Sequence, residues 1–229
     1  MKKKNFIGTR NESSLHKTLK FQYTQPYGKT EVLVGEFVTD GISKSGEIIE
    51  VQTGSFAPLV KKLKEICIMR RVRIVHPVVV SKIIEVYEAN GIFLYRRKSP
   101  VKGSLWNIFD ALIHAPLLPL EKNLVIELAM IDITEIRKKD GKGSWRRKGI
   151  SIQDKVLSAW HERILFKSPG DYKCFIPFKK GKEFTVSCLA KEAGIKPETA
   201  RKALYVLAKM KMIKKTGKKR NAWVYTLAK

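Results

Sequence analysis

The spacing of apolar residues changes period along the chain, and each change predicts an element. Asn11-Glu12-Ser13-Ser14 are helix-starting residue types, and Leu15, Leu19 and Phe21 follow at helical spacing. Beyond a turn-rich segment at 25–29, three short runs read as strands: Glu31–Val34, Phe37–Ile42 and Glu47–Gln52. Gly35-Glu36 and Ser43–Gly46 join them, and connections this short predict an antiparallel meander. Ser55–Ile68 has the pattern of an amphipathic helix, with Leu59, Leu63 and Ile66 inward and Lys61, Lys62 and Lys64 outward. Val72–Val75 reads as a buried strand ending at His76-Pro77. Val78–Tyr87 is apolar and β-branched, and Gly91–Tyr95 reads as a further strand after the Asn90-Gly91 turn.

The order helix, three strands, helix, strand predicts a mixed α/β unit, a mixed sheet flanked by helices. Leu105–Ala115 extends it as a helix and Leu124–Ile136 as a long strand, while Ile150–Phe166 fits either period. Ser168-Pro169-Gly170 and Phe178–Glu183 read as punctuation and linker. This divides the chain into 1–168 (core about 11–97 plus a basic α/β extension), a linker at 169–183, and 184–229. The last segment carries a sharp local signal. Thr185 can cap a helix at Val186–Ala193 that Gly194 ends, and Pro197 suits the first turn of a second helix reaching about Met210. Ile213–Lys215 and Trp223–Leu227 alternate as strands around Thr216–Asn221. Helix, turn, helix and hairpin look like a bacterial winged helix-turn-helix.

Charge gives this outline a direction. The 229 residues hold 46 Lys plus Arg against 21 Asp plus Glu, a net charge of +25. So large a surplus repels itself, and nucleic acid is the common compensating partner. From Lys196 to Lys229 there are eleven basic residues and one acid, Glu198. Lys196, Thr199, Arg201, Lys202 and Tyr205 fall on the outward side of the second helix, which can enter a major groove, and Lys218, Lys219 and Arg220 on the tip of the wing. Lys138–Lys148 places six basic residues and Trp145 in one loop, with Arg146 and Arg147 the candidate phosphate contacts.

Acids are scarce, so their placement matters. Asp40 falls near the end of the second strand and Glu50 on the third, beside it across the Ser43–Gly46 turn. Glu50 and Gln52, two apart, project from one face of the sheet. Two carboxylates and an amide on a basic body suit Mg²⁺ or Mn²⁺, which take carboxylate, water and phosphate oxygens. Glu31 is a further candidate ligand. Glu12 and His16, one helical turn apart, can approach the same face, but for these two and for Glu31 a surface or capping role is the plainer reading.

Asp40…Glu50-Val51-Gln52, with this element order, resembles the PD-(D/E)XK nuclease superfamily, whose core is a helix, three antiparallel strands, a helix and a strand. Gln52 stands where that motif has lysine and Thr39 where it sometimes has proline. Some type II restriction enzymes resemble this sequence in using glutamine. Gln52 cannot take a proton, so it can only orient a water. Ser14-Leu15-His16, Glu50–Gly54, Arg73–Pro77 and Asp140–Arg147 resemble an uncharacterised prokaryotic family over most of the chain. The resemblance implies a nuclease-like domain fused to a winged helix.

Other classes find no support. There is no phosphate-binding glycine loop, dinucleotide fingerprint or nucleophile triad. No run is long and apolar enough to cross a membrane, and Asn5–Gly8 is too short for the apolar part of a secretion signal. Cys67, Cys174 and Cys188 lie far apart, which fits reduced thiols in a cytoplasm. His76, His114 and His161 read as structural. The expectation is a cytoplasmic, Mg²⁺-dependent DNA endonuclease in which Lys61, Lys62, Arg146 and Arg147 steady phosphates, with a homodimer suited to cutting both strands. The alternative is a DNA-binding regulator or replication factor that keeps the fold without catalysis, and RNA is a third possible partner.

Overall fold

The computed structural model describes residues 12–228; the basic, frayed start expected for residues 1–10 lies outside the described residues. Helix α1 (Ser14–Thr24) opens on Ser13, whose hydroxyl accepts the His16 backbone N–H and satisfies one of the free donors of the first turn. Strands β1 (Lys29–Val34), β2 (Phe37–Ile42) and β3 (Ile48–Val51) pair antiparallel in sequence order, as their short connections require. The chain then makes one 3-10 turn at Ala57–Leu59, crosses through α2 (Val60–Ile66) and returns as β4 (Val72–Glu88), parallel to β3.

β4 is 17 residues long and does not stop at His76-Pro77 as the sequence suggests. The Val75 carbonyl accepts the Gln52 N–H at 2.9 Å. Pro77, two residues on, faces the same edge, but β3 has ended at Val51, so the missing N–H costs no ladder bond. β5 (Phe93–Lys98) folds back antiparallel onto the far part of that edge. After a 3-10 turn at Leu105–Asn107 and the short α3 (Ile108–Leu112), β6 (Leu124–Lys139) lies parallel to β4 along its whole length. β7 (Ile150–Phe166), ambiguous in sequence, is a strand antiparallel to β6. The main sheet therefore runs β1-β2-β3-β4-β6-β7 with β5 beside β4.

Helices cover both faces. On one, Leu15 and Leu19 of α1 pack on Ile49, Val51, Val75 and Ile131. On the other, Leu63 of α2 and Phe109 of α3 join Ile48, Ile74 and Leu128. That second cluster continues into the C-terminal elements α4 (Val186–Glu192), α5 (Pro197–Lys209), β8 (Ile213–Lys219) and β9 (Ala222–Leu227), through Leu189, Leu204, Leu207 and Ile213. β8 and β9 pair as a separate hairpin whose turn is only Arg220-Asn221, tighter than the sequence pattern suggests. Lys218 and Lys219 therefore lie in the strand rather than in its loop.

The 169–183 stretch, expected as a linker, is packed instead. Pro169–Phe175 forms a 3-10 segment that buries Tyr172 and Phe175, and the Phe175 ring sits 4.7 Å from Phe109 and 4.9 Å from Trp106. Three aromatic side chains, Tyr172, Phe175 and Phe178, supply far more buried area than the turn residues around them suggest. Among the described residues no helix is long and apolar enough to cross a membrane.

Candidate active site

The strand registers line up carboxylates. Thr30 and Val32 pair with Gly41 and Thr39, which sets Glu31 opposite Asp40; Gly41 pairs with Ile49, which sets Asp40 beside Glu50. One row across β1, β2 and β3 thus carries Glu31, Asp40 and Glu50. Like charges directly opposite one another are destabilising unless cations intervene. The surrounding helices supply those cations. Lys62 of α2 is ion-paired with Glu50, and its ammonium also donates to the Val38 carbonyl. Lys20 of α1 lies 3.0 Å from Glu12, 3.3 Å from Glu31 and 4.0 Å from Asp40.

Where the β2–β3 ladder ends, Asp40 takes over from the backbone, its Oδ2 accepting the Val51 N–H at 2.8 Å. His16 reaches down from α1 to the same point. Its Nε2–H donates to the Val51 carbonyl at 2.8 Å and lies 3.6 Å from Asp40, and Nδ1 meets the Glu12 carboxylate. His16 and Lys20, four apart, form one stripe of α1 laid over Asp40 and Glu31, and Glu12, just before the Ser13 cap, meets both His16 and Lys20. That spacing was visible in the sequence; Lys20 escaped notice because a lone lysine on a helix reads as a solvated residue.

Electrostatics differ sharply among these groups. Glu50 is 4 % exposed, and burial pushes its carboxyl up to about 7, against the opposing pull of Lys62. Burial would also raise Glu12, but hydrogen bonds from Lys20 and His16 outweigh it and hold the carboxyl below its usual range. Burial would lower Lys20, yet Glu12, Asp40 and Glu31 together raise it. Asp40 links two ion-paired groups, Glu12, Glu31 and Lys20 on the α1 side and Glu50 and Lys62 on the α2 side.

The loop after β3 is fixed from both sides. The Gln52 amide donates to the Ser55 carbonyl at 2.6 Å, and the Gln52 carbonyl accepts His76 Nδ1–H at 2.6 Å. His76 is buried edge-on against Phe56, and burial lowers its pKa. It braces the loop, the structural role the sequence suggested.

The structure separates the expected phosphate-binding residues. Lys61 is exposed on α2, but Lys62 is turned inward to Glu50 rather than outward, because residue 62 falls between the buried Leu59 and Leu63 and the sheet edge. Arg146 and Arg147 sit in the β6–β7 connection; Glu127 pairs beside Val75 near the acids, and Lys139 is twelve residues further along β6, roughly 40 Å away at strand rise. They cannot share a phosphate with Asp40 and Glu50. On α5, Lys196, Arg201 and Tyr205 are exposed and Thr199 is half-buried. Lys202 is spoken for: it reaches Glu198 at 2.7 Å and Asp110 of α3 at 3.0 Å, tying α5 to the body. Lys218, Lys219 and Arg220 are exposed on the hairpin, and Lys215 and Lys218 cover the Trp223 ring at 4.3 and 4.6 Å. Among the described residues, no three His, Cys, Asp or Glu side chains converge closely enough to cage a metal by themselves.

Comparison with known proteins places most of the chain in a family. Residues 13–167 match the family described as "Domain of unknown function (DUF8091)", well over half of the chain. The chain belongs to the DUF8091 family. The DUF8091 match takes in α1 through β7, hence His16, Lys20, Glu31, Asp40, Glu50 and Lys62; Glu12 falls one residue before it and α4–β9 after it. A curated relative, an "Uncharacterized protein" of Treponema pallidum (strain Nichols), is 29 % identical over 164 residues, covering 72 % of this chain. The chain spans 65 % of that relative's length. No solved structure matches.

Proposed function

We propose that the protein is a divalent-metal-dependent DNA endonuclease, with Asp40 and Glu50 as its metal-binding acids and α4–β9 acting as a winged helix that holds duplex DNA. The observation that supports this reading best is the carboxylate row across β1–β3, with Lys62 set against Glu50. Its donor chemistry fits Mg²⁺ or Mn²⁺. Hard dications use one or two protein carboxylates and complete their shell with water and phosphate oxygens, so two acids are sufficient and a full protein cage is not needed. Asp40 stands where the Glu12–Lys20–Glu31 group on the α1 side meets the Glu50–Lys62 pair on the α2 side, so a dication there would be held between Asp40 and Glu50. Held there, such an ion would supply a lowered pKa for an attacking water and positive charge for the phosphodiester.

The chain's own residues do the rest. Asp40 and Glu50 would hold the ion, and Glu31 adds negative charge through the row. Lys62, not Gln52, supplies the amine beside the acid pair, and with Glu50 bound to an ion it would be placed to meet a phosphate oxygen. Gln52 fixes the loop through Ser55. Lys196, Arg201 and Tyr205 present the outward face of α5 to a groove, and Lys218, Lys219 and Arg220 the hairpin to the backbone. Cys67, Cys174 and Cys188 are free thiols, in keeping with action in the cytoplasm, and cutting both strands would call for a homodimer.

The test is incubation of the full chain with plasmid, linear and branched DNA plus Mg²⁺ or Mn²⁺. Cleavage lost in Asp40→Ala and Glu50→Ala is expected; no cleavage with either metal, or cleavage undiminished in both variants, removes the reading. Two features favour a second reading, a non-catalytic DNA-binding regulator: Glu50 is already paired with Lys62 and the Gln52 amide is occupied by Ser55. Under that reading Mg²⁺ affinity does not depend on Asp40.

A further inference from the structure

The far half of the main sheet carries a second surface. Beyond the helices, β5 forms the open edge of a region completed by the ends of β4, β6 and β7. All six β5 residues are exposed, including Phe93 at 53 % and Tyr95 at 43 %, and Ile92 beside them is 62 % exposed. The same strand ends in Arg96, Arg97 and Lys98, and Trp145 in the β6–β7 connection is 83 % exposed under Arg146. Open apolar edges invite pairing with another chain, but this edge bears three consecutive cations on a molecule of net charge +25. A second copy would set those cations against their own kind. A flexible polyanion with flat apolar faces meets both halves of the chemistry, stacking on the rings while its phosphates face the cations.

We propose that β5 and the β6–β7 connection bind single-stranded DNA, with Phe93, Tyr95 and Trp145 as stacking platforms and Arg97, Lys98 and Arg146 as phosphate contacts. The choice of DNA over RNA rests on the proposed nuclease reading; the surface itself stands whether or not Asp40 and Glu50 hold a metal. A cleft of about 690 Å³ opens between the start of α1 and β7, its lining including Glu12, Lys82, Val101, Glu135, Asp154 and Lys155. Glu12 touches His16 and Lys20 of the acid cluster, and Lys82 lies beside the base of β5.

The experiment is fluorescence anisotropy of a labelled oligo-dT with the full chain in EDTA, beside Mn²⁺ titration of the same samples. Phe93→Ala/Tyr95→Ala should weaken oligo-dT binding about tenfold or more, since a stacked base contributes this much or more. Arg97→Gln/Lys98→Gln keeps the rings, guards against a folding artefact, and should lower the slope of log affinity against log salt by about 1.4 for two lost phosphate contacts. Both variants should retain wild-type Mn²⁺ binding, which separates failure of this surface from failure of the acid site. Unchanged oligo-dT affinity in both variants overturns the proposal. So does tighter binding of an oligo-U of equal length, or a concentration-dependent dimer that the Phe93→Ala/Tyr95→Ala variant abolishes.

Discussion

Replacing Glu50 by glutamine should make the protein's stability less sensitive to pH, by an amount the structure sets. In the folded chain burial holds this carboxyl at about 7, against 4.5 for an ordinary glutamate. Below pH 4.5 the carboxyl is neutral in both states and carries no penalty. As pH rises from 4.5 to 7, the unfolded chain loses the proton while the folded one keeps it, so the folded state binds more protons and stability falls. Above 7 both are ionised and the full deficit remains. At about 1.4 kcal/mol per pH unit, the fall amounts to about 3 kcal/mol. Glutamine cannot titrate, so the advantage of Glu50→Gln over wild type should grow by about 3 kcal/mol between roughly pH 4 and pH 8. Any constant cost of disturbing Lys62 cancels from this difference. Urea unfolding of both proteins in EDTA across that range measures it. A difference that stays flat with pH would show that Glu50 is solvated and that the burial argument is wrong. Saturating Mg²⁺ should then raise wild-type stability at pH 8 and leave the variant unmoved, because an ion bound only to the folded state stabilises it.

Further expectations follow from the same geometry. Lys62→Met removes the cation that opposes burial at Glu50, so the carboxyl should titrate higher and the pH midpoint of Mn²⁺ binding should move up; a midpoint unchanged from wild type contradicts the pairing. Phe175→Ala empties a site among Phe109, Trp106 and Phe166 and should cost about 3–5 kcal/mol in urea unfolding; a loss near zero would restore the linker reading of 169–183. Arg201→Ala with Tyr205→Ala should weaken duplex DNA binding in gel shifts. Lys202→Ala, whose ammonium already serves Asp110 and Glu198, should change it little; the reverse ranking would mean that α5 presents another face.

Local chemistry was legible wherever one period held. The alternation around Asp40 and Glu50, the two-residue spacing to Gln52 and the short turns fixed the meander and its register, and Thr185, Gly194 and Pro197 marked the C-terminal helices. Three things were not legible. Pro77 read as a strand end because its tolerance depends on where β3 stops, a fact of the neighbouring strand. Tyr172, Phe175 and Phe178 read as linker because only the assembled core gives them something to pack against. Lys62 read as outward because a short helix with three lysines does not reveal which one reaches over the sheet edge. The Glu12-His16-Lys20 group lay between these cases: the approach of Glu12 and His16 to the acids was readable, but the part played by Lys20 was known only once α1 crossed β3.

The most direct test of the acid centre is calorimetric titration of Mn²⁺ into the full chain at about pH 8, beside Asp40→Asn. The carboxylate row predicts a bound ion in the wild type that the variant loses, with affinity falling as pH drops through about 7 as Glu50 takes up its proton. Binding of equal strength in both proteins, or none in the wild type, would contradict it.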